Sequence, residues 1–257
     1  MREPRNILIT GASSGIGEAL ARAYARHGVF LALVGRDPAR IAGVAEFCRG
    51  RGAETAAIAR DVTDAGPLAD WMLALDREKP FDLVVANAGI SAGTGRGEES
   101  AEEVRAITAI NVDGVINTVA PLIEPMVRRG RGHIALMSSV ASFRGLPRAA
   151  AYCASKAFVR TWGEGLRAEL APKGVAVSVI CPGFVASRMT DKNQFPMPML
   201  MLMPADRAAA IIMRGLAANR ARTAFPGPIY AAMRIMAAMP AALVDPMLRR
   251  ARRRAQP

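Results

Sequence analysis

The chain has 257 residues, of which 51% are apolar, and a formal net charge of +12. This length and composition suit one α/β domain with a large core, which excludes a disordered protein. Two distant histidines and three isolated cysteines argue against a zinc site or a disulfide framework. The charge would suit nucleic acid, but no nucleic-acid-reading motif or aromatic platform accompanies it.

The N-terminus predicts no signal peptide, and no uncharged apolar run reaches roughly 18 residues. We therefore expect a cytoplasmic protein without a membrane-spanning helix.

Short apolar runs alternate with helical patterns along most of the chain. The runs predict strands at 7–9, 29–34, 55–59, 81–86, 134–137 and 175–180. The patterns predict helices at 15–28, at 39–51, from Asp64 onward, at 101–129 and at 150–171. Runs that are apolar on both faces favour a buried parallel sheet. The alternation predicts a doubly wound, mostly parallel sheet of the Rossmann type, with helices on both faces.

Beyond Gly183 the pattern changes. A helix is predicted at 205–218 and a last short strand at 223–225. We assign residues 1–227 to one domain. Residues 228–257 form a helical C-terminal extension, rich in Met and Ala, broken at Pro240 and basic at its end. Its basic residues are Arg249, Arg250, Arg252, Arg253 and Arg254.

A glycine-rich turn joins the first predicted strand to the first helix. Gly11 allows a tight turn, and Gly15 and Gly17 let the backbone approach a ligand and let the helix pack on the sheet. The free N–H groups and the dipole at a helix N-terminus attract a pyrophosphate. In this strand–turn–helix context the turn predicts a dinucleotide site. Its predicted contacts are Gly11, Ser13, Ser14, Gly15, Ile16 and Gly17.

The motifs of the chain, taken together, resemble the compact branch of the short-chain dehydrogenase/reductase family. They occur in the family's order and spacing from Asn6 to about Met189. They are Thr10–Gly17, Asp61-Val62, Asn87-Ala88-Gly89, Asn111, Ser139, Tyr152-x-x-x-Lys156 and Pro182-Gly183. The resemblance implies a nicotinamide-dependent oxidoreductase acting on alcohols and carbonyls. It also implies a homodimer or homotetramer packed through the 101–129 and 150–171 helices.

The end of the second strand bears on the choice of cofactor. In NAD-binding sites an acidic residue there holds the ribose 2′-hydroxyl, but this chain has Gly35. The following Arg36 could pair with a 2′-phosphate, which favours NADP(H) over NAD(H). Asp37 is acidic and adjacent, but before Pro38 it fits the N-cap of the next helix.

The resemblance assigns the rest of the cofactor site. Asp61 and Val62 are implied to line the adenine site. Asn87, Ala88 and Gly89 are implied to lie beneath the cofactor, although bracing the sheet by hydrogen bonds is the main role we expect for Asn87.

Tyr152 and Lys156 are four residues apart, so they face the same side of the predicted helix. A free tyrosine has a pKa of about 10, and a nearby cation lowers it. We expect Lys156 to act in this way and Tyr152 to serve as general acid and base. By resemblance, Lys156 also binds the nicotinamide ribose, Ser139 binds the substrate oxygen and Asn111 holds a water that links Lys156 to solvent. Ser138 is the alternative to Ser139, but the spacing from Tyr152 favours Ser139.

Pro182 and Gly183 resemble the family turn that leads into a substrate lid, here predicted at 184–204. Val185 and Thr190 are expected near the cofactor. The uncharged stretch 195–204 favours an apolar substrate, with packing on the domain or on a partner subunit as an equal alternative.

The C-terminal extension has three open roles besides that of a solvated basic tail. It could lie on an anionic membrane surface, cover the substrate site or contact another subunit. The function that we expect is an NADP(H)-dependent oxidoreductase for an apolar small molecule. A non-catalytic nucleotide-binding sensor is the alternative, and the intact set of Asn111, Ser139, Tyr152 and Lys156 argues against it.

Overall fold

The computed structural model describes residues 3–91, 99–192 and 202–254. Its strands are β1 (Asn6–Thr10), β2 (Phe30–Gly35), β3 (Glu54–Ala59), β4 (Leu83–Ala86), β5 (Gly132–Met137), β6 (Val175–Pro182) and β7 (Arg222–Phe225). Its α-helices are α1 (Gly15–Tyr24), α2 (Pro38–Gly50), α3 (Ala65–Glu78), α4 (Ala101–Thr108), α5 (Gly114–Arg129), α6 (Ala150–Leu170), α7 (Arg188–Lys192), α8 (Ala205–Ala217), α9 (Gly227–Ala238) and α10 (Ala241–Arg254).

The strands form one parallel sheet in the order β3-β2-β1-β4-β5-β6-β7. β1 pairs with β2 through Leu8 and Ala32, and with β4 through Leu8 and Val84. The direction of winding reverses between β1 and β4, and ligands of such sheets bind at this reversal, beyond the carboxyl ends of the strands. The predicted doubly wound Rossmann-type fold is confirmed.

Each face of the sheet is covered by a helical layer with its own apolar core. Leu20, Val44 and Ile212 represent the layer of α1, α2 and α8. Met72, Val119 and Val159 represent the layer of α3, α5 and α6 on the opposite face. Because both faces are covered, strands such as β2 and β5 are buried along their whole length and are mostly apolar, as the sequence indicated.

The helical stretch 101–129 differs from its prediction as one regular helix. A π-helical turn, Ala109–Asp113, separates α4 from α5. Such turns accommodate one extra residue, and they often occur at functional sites. Here the turn contains the fully buried Asn111.

By length and composition the stretch Ala101–Arg129 is long and apolar enough to cross a membrane, one such stretch among the described residues. Core helices meet the same criterion, and Val115, Val119, Leu122 and Met126 of α5 are buried in the fold.

The C-terminal extension forms two helices, α9 and α10, which separate near Pro240 as predicted. α9 packs against β7 and against the short 3-10 turn Val140–Phe143 that follows β5. Val244 of α10 is fully buried, whereas Leu243 and Met247 are exposed.

Candidate active site

A cavity of about 820 Å³ opens at the carboxyl edge of the sheet, where β1 and β4 diverge. Eighteen of the predicted site residues line it. They are Gly11, Ser13, Ser14, Gly15, Ile16, Arg36, Asp61, Val62, Asn87, Ala88, Gly89, Ser139, Tyr152, Lys156, Pro182, Gly183, Val185 and Thr190. The other two, Gly17 and Asn111, are not part of the cavity lining.

The glycine-rich turn forms a cradle for a phosphate group. Gly11 and Gly15 have left-handed backbone angles, with φ of 66° and 57°. A Cβ on Gly17 would lie 2.3 Å from the Gly11 carbonyl oxygen, so Gly17 allows the turn to pack against the start of α1. The Ser14 side chain does not cap α1, so the first N–H groups of this helix are left for a ligand, and Ser14, Gly15 and Ile16 line the cavity. This geometry fits the pyrophosphate of a dinucleotide.

Asn87 braces the turn from the end of β4. Its side-chain amide donates to the carbonyl oxygens of Thr10 at 3.0 Å and Gly11 at 3.2 Å. The Thr10 hydroxyl in turn accepts from the backbone N–H groups of Asn87 and Ala88. These bonds join β1 to β4 beneath the cavity, which is the bracing role expected for Asn87.

The cavity end near β2 and β3 carries a group of arginines. Arg36 lies 3.7 Å from Asp61, and its side chain is 61% exposed. Asp37 accepts the Arg40 backbone N–H at 3.1 Å and caps α2, as predicted. Arg40 and Arg60, which were not predicted from the sequence, also line this end.

Two sequence signals could have revealed these arginines. Arg40 follows Arg36 by four residues, and Arg60 directly precedes the Asp61-Val62 motif. Arg60 Nε is buried and lacks a partner among the described residues. The Arg60 guanidinium also forms an ion pair, with Nη1 3.5 Å from Asp64 Oδ2.

The reactive end of the cavity contains Ser139, Tyr152 and Lys156. Ser139 follows β5, and its hydroxyl accepts the Ala141 N–H at 3.1 Å and lies 3.4 Å from the Pro182 carbonyl oxygen. Tyr152 and Lys156 lie one turn apart on α6, and Lys156 Nζ donates to the Met137 carbonyl at 2.9 Å. The rival serine, Ser138, also lines the cavity. Its hydroxyl donates to the Lys156 carbonyl oxygen at 2.7 Å, a shorter bond than the 3.4 Å donation from Ser139 to the Pro182 carbonyl oxygen.

The pKa of Tyr152 differs from the expectation. Burial raises it above the usual value of 10.0, and a hydrogen bond with Ser139 acts in the opposite direction. Burial also lowers the pKa of Lys156 to about 8. Lys156 Nζ lies 5.8 Å from the centre of the Tyr152 ring. Lys156 is not among the causes of the shift in the Tyr152 pKa, so the chain's own groups do not show the lowering that we expected from Lys156.

Asn111 lies behind the cavity wall and is held by three hydrogen bonds. Its side-chain oxygen accepts the Ile90 N–H at 2.8 Å. Its amide donates to the Ile90 carbonyl at 2.9 Å and to the Ser155 hydroxyl at 3.0 Å. Both amide N–H donors are thus used inside the protein. A Cβ on Gly89 would touch both Asn111 Oδ1 and Lys156 Nζ, so Gly89 separates these two groups.

The predicted lid is described only in part. Val185 forms a parallel bridge with Met203, which joins the two ends of the segment. The Thr190 hydroxyl donates to the Ser187 carbonyl at 2.6 Å within this region. The expected apolar stretch 195–204 lies mostly outside the described residues, as do the side chains of the basic end beyond Arg249.

The phosphate cradle, the serine, the tyrosine and the lysine all lie around one cavity. Comparison with known proteins shows which family has this combination. The sequence model of the short chain dehydrogenase family matches residues 5–196. The chain belongs to this family. An uncharacterized oxidoreductase from Myxococcus xanthus is 39% identical over 249 residues, which are 96% of this chain and 98% of that protein.

Two solved structures show the same fold with a cofactor. A short-chain dehydrogenase from Sphingobium yanoikuyae in complex with NADPH has a TM-score of 0.77 and 29% identity, covering 86% of this chain and 88% of that one. A short-chain dehydrogenase/reductase from Burkholderia phymatum in complex with NAD has a TM-score of 0.80 and 27% identity, covering 91% and 92%. The chain is therefore an oxidoreductase of this family with a site for a nicotinamide cofactor.

Proposed function

We propose that this oxidoreductase uses NADP(H) to interconvert a carbonyl and an alcohol on an apolar small molecule, with Tyr152 as general acid and base. The observation that carries the proposal is that Ser139, Tyr152 and Lys156 line one cavity together with the glycine cradle. The hydroxyl groups of Ser139 and Tyr152 can both form hydrogen bonds with the carbonyl oxygen of a substrate, and Tyr152 can exchange a proton with that oxygen.

Ser139 and Tyr152 have different roles in the proposed reaction. A bound nicotinamide supplies or accepts the hydride. Ser139 orients the substrate oxygen, and Tyr152 donates its proton to that oxygen during reduction and removes it during oxidation. Because burial raises the pKa of Tyr152, its hydroxyl stays protonated at neutral pH, as a general acid for reduction requires.

Lys156 lies beside Tyr152, where it can donate hydrogen bonds to the cofactor. Its bond to the Met137 carbonyl uses one of three ammonium N–H donors and fixes the side chain next to Tyr152. The remaining donors would hold the nicotinamide ribose. The resemblance linked Asn111 to a bound water. In this structure Asn111 holds Ile90 and Ser155 in place by hydrogen bonds.

The preference for NADP(H) is supported by the charge at the far end of the cavity. Arg36, Arg40 and Arg60 line it, and the carboxylate of Asp37 is used in capping α2 and in an ion pair with Arg40 at 3.2 Å. A 2′-phosphate would therefore meet guanidinium groups, and the ribose hydroxyl of NAD would find no acidic partner at Gly35.

An apolar substrate is supported by the residues beside Ser139 and Tyr152. Val140, Leu146 and Pro147 line the cavity there. Among the described lid residues that line the cavity, the charged one is Arg188 of α7, which is exposed. Apolar walls with a few polar groups are typical of sites that bind small organic molecules.

We further propose that the chain forms a homodimer or homotetramer through the helices of residues 101–129 and 150–171. Val104 and Phe158 of these helices are 39% exposed, and Phe158 stacks on Trp162 with ring centres 6.0 Å apart. Exposed large apolar side chains of this kind suit an interface between copies. Light scattering after size-exclusion chromatography tests this proposal.

The function is tested by following NADPH oxidation with a panel of aliphatic and aryl ketones and aldehydes, and NADP⁺ reduction with the matching alcohols. We expect turnover of apolar ketones, with the alcohol identified as product. A protein that binds NADPH tightly but reduces none of the panel would contradict the catalytic proposal and favour a sensor.

A further inference from the structure

The C-terminal helix α9 contributes to the wall of the cavity. Ile229 and Met233, four residues apart and hence on one face of the helix, line the same cavity as Ser139 and Tyr152. Met233 is only 9% exposed although it lies close to the end of the chain. The extension therefore covers the reactive end of the site, one of the three roles that its sequence left open.

A neighbouring side chain of α9 fastens the helix to the loop that carries Ser139. The Tyr230 hydroxyl accepts hydrogen bonds from Arg222 at 3.0 Å and from Arg234 at 3.2 Å. The Tyr230 ring meets the Phe143 ring edge-on, with centres 5.4 Å apart. Phe143 ends the 3-10 turn that begins directly after Ser139. The Tyr230 contacts thus connect α9 to the catalytic loop.

The same contacts reach the helix that carries Tyr152 and Lys156. Arg222 forms an ion pair with Glu164 of α6. The guanidinium of Arg160, also on α6, lies 4.9 Å from the centre of the Phe143 ring. One cluster of charges and rings therefore joins α6, β7, α9 and the catalytic loop.

This wall comes from a segment beyond the family match, which ends at residue 196. The Myxococcus relative aligns over 96% of this chain and so extends into the segment. A wall built outside the shared part of the family can select substrates without altering the shared chemistry.

We propose that α9 selects the substrate. Ile229 and Met233 form an apolar subsite for the larger substituent of the carbonyl compound, and Tyr230 is a positioning residue that holds the helix against the catalytic loop. This inference rests on the proposed function and specifies the substrate class of that same site: ketones with one bulky or extended apolar substituent.

The test compares methyl ketones of increasing chain length in the wild type and in Met233→Trp. Filling the subsite should lower kcat/KM for the longest ketones about tenfold or more, and should change that of the smallest ketone less than about twofold. Ile235→Trp is the matched control, since Ile235 lies on α9 but is 65% exposed. NADPH affinity is measured for each variant to show that the cofactor site is intact. The thermal midpoint is measured to show that the fold is intact.

Tyr230→Phe tests the positioning role, because it keeps the ring and removes the acceptor of two hydrogen bonds. We expect KM for long ketones to rise about threefold to tenfold, with kcat for the smallest ketone retained, since a loosened wall affects binding of the long substituent. A purely structural role would lower the thermal midpoint and leave the ratio of KM values between long and short ketones unchanged, which would overturn the assignment.

Binding distinguishes failure of the inference from failure of the proposed function. The thermal shift that a long ketone produces in the NADPH-saturated protein requires no turnover, and we expect it to be lost in Met233→Trp. Turnover by the wild type with an unchanged chain-length profile in Met233→Trp would overturn the subsite alone. No turnover by the wild type would overturn the function, and equal thermal shifts in both proteins would then overturn the subsite as well.

Discussion

The side-chain amide of Asn111 donates a 3.0 Å hydrogen bond to the hydroxyl of Ser155, the residue directly before Lys156. Asn111 lies in the π-helical turn between α4 and α5, whereas Ser155 lies on α6. The bond therefore joins the irregular turn to the helix that carries the reactive pair. The Ser155 hydroxyl also donates to the Tyr152 carbonyl oxygen at 2.8 Å, which extends the connection to the residue that we propose as general acid and base.

Asn111→Ala should lower kcat for ketone reduction at least about tenfold, because α6 loses its link to the turn and Tyr152 is less well oriented. It should also lower the free energy of unfolding by about 1–3 kcal/mol, since Ile90 and Ser155 lose partners. Steady-state kinetics and urea unfolding measure the two effects. Ser155→Ala removes the link to α6 and the Ser155 bond to the Tyr152 carbonyl oxygen. It keeps the Asn111 bonds to Ile90, so it should reproduce part of the kcat loss. Unchanged kcat in both variants would contradict this role.

Arg36→Ala should weaken NADPH binding about tenfold to a hundredfold and leave NADH binding nearly unchanged. The reason is that a hydrogen bond between charged groups contributes about 1.5–3 kcal/mol, and NADH lacks the 2′-phosphate. Fluorescence titration with both cofactors measures the ratio. Arg128→Ala, an exposed arginine on α5, is the control. Tighter binding of NADH than of NADPH by the wild type would refute the role of Arg36.

The pH dependence of ketone reduction should follow Lys156. Its pKa is lowered to about 8 by burial, so the ammonium is present below that pH and is lost as the pH rises through it. The pKa of Tyr152 is raised, so its hydroxyl keeps its proton over the same range. We expect kcat/KM to be level near neutral pH and to fall above about pH 8. A level profile that continues to about pH 10 would show that the charge of Lys156 is not required.

Asp76→Asn should lower the free energy of unfolding by about 3 kcal/mol. Asp76 is 5% exposed, pairs with Arg129 at 2.6 Å and accepts the Phe81 N–H at 2.8 Å, so the substitution leaves a largely buried guanidinium without its counter-charge. Urea unfolding measures the change. Glu124→Gln, which removes an exposed ion pair with Arg128, should have little effect. A loss below about 1 kcal/mol for Asp76→Asn would contradict the structural role of this pair.

The sequence predicted the sheet and most of the cavity because both depend on local patterns. Buried parallel strands are continuous apolar runs, and Thr10, Asn87 and Ser139 follow three of them, so their position at one edge of the sheet follows from the fold. The N-cap at Asp37 was also predictable from the sequence, because Asp directly before Pro is typical of a helix N-terminus.

Other features depend on contacts between distant parts of the chain. The π-helical turn at Asn111 was not predicted, because helical periodicity tolerates one extra residue and the bonds to Ile90 and Ser155 are not visible in the sequence. The raised pKa of Tyr152 was missed because burial is a property of the folded cavity. The approach of Met233 to the cavity could not be predicted either, since its helix lies beyond all the recognised motifs.

The central claim is that Tyr152 exchanges the proton that accompanies hydride transfer. Tyr152→Phe removes only the hydroxyl, so the most direct measurement is kcat for ketone reduction in this variant together with its dissociation constant for NADPH. We predict a fall in kcat of about a hundredfold or more, with NADPH affinity within about threefold of the wild type. A Tyr152→Phe protein that binds NADPH and retains full turnover would contradict the account.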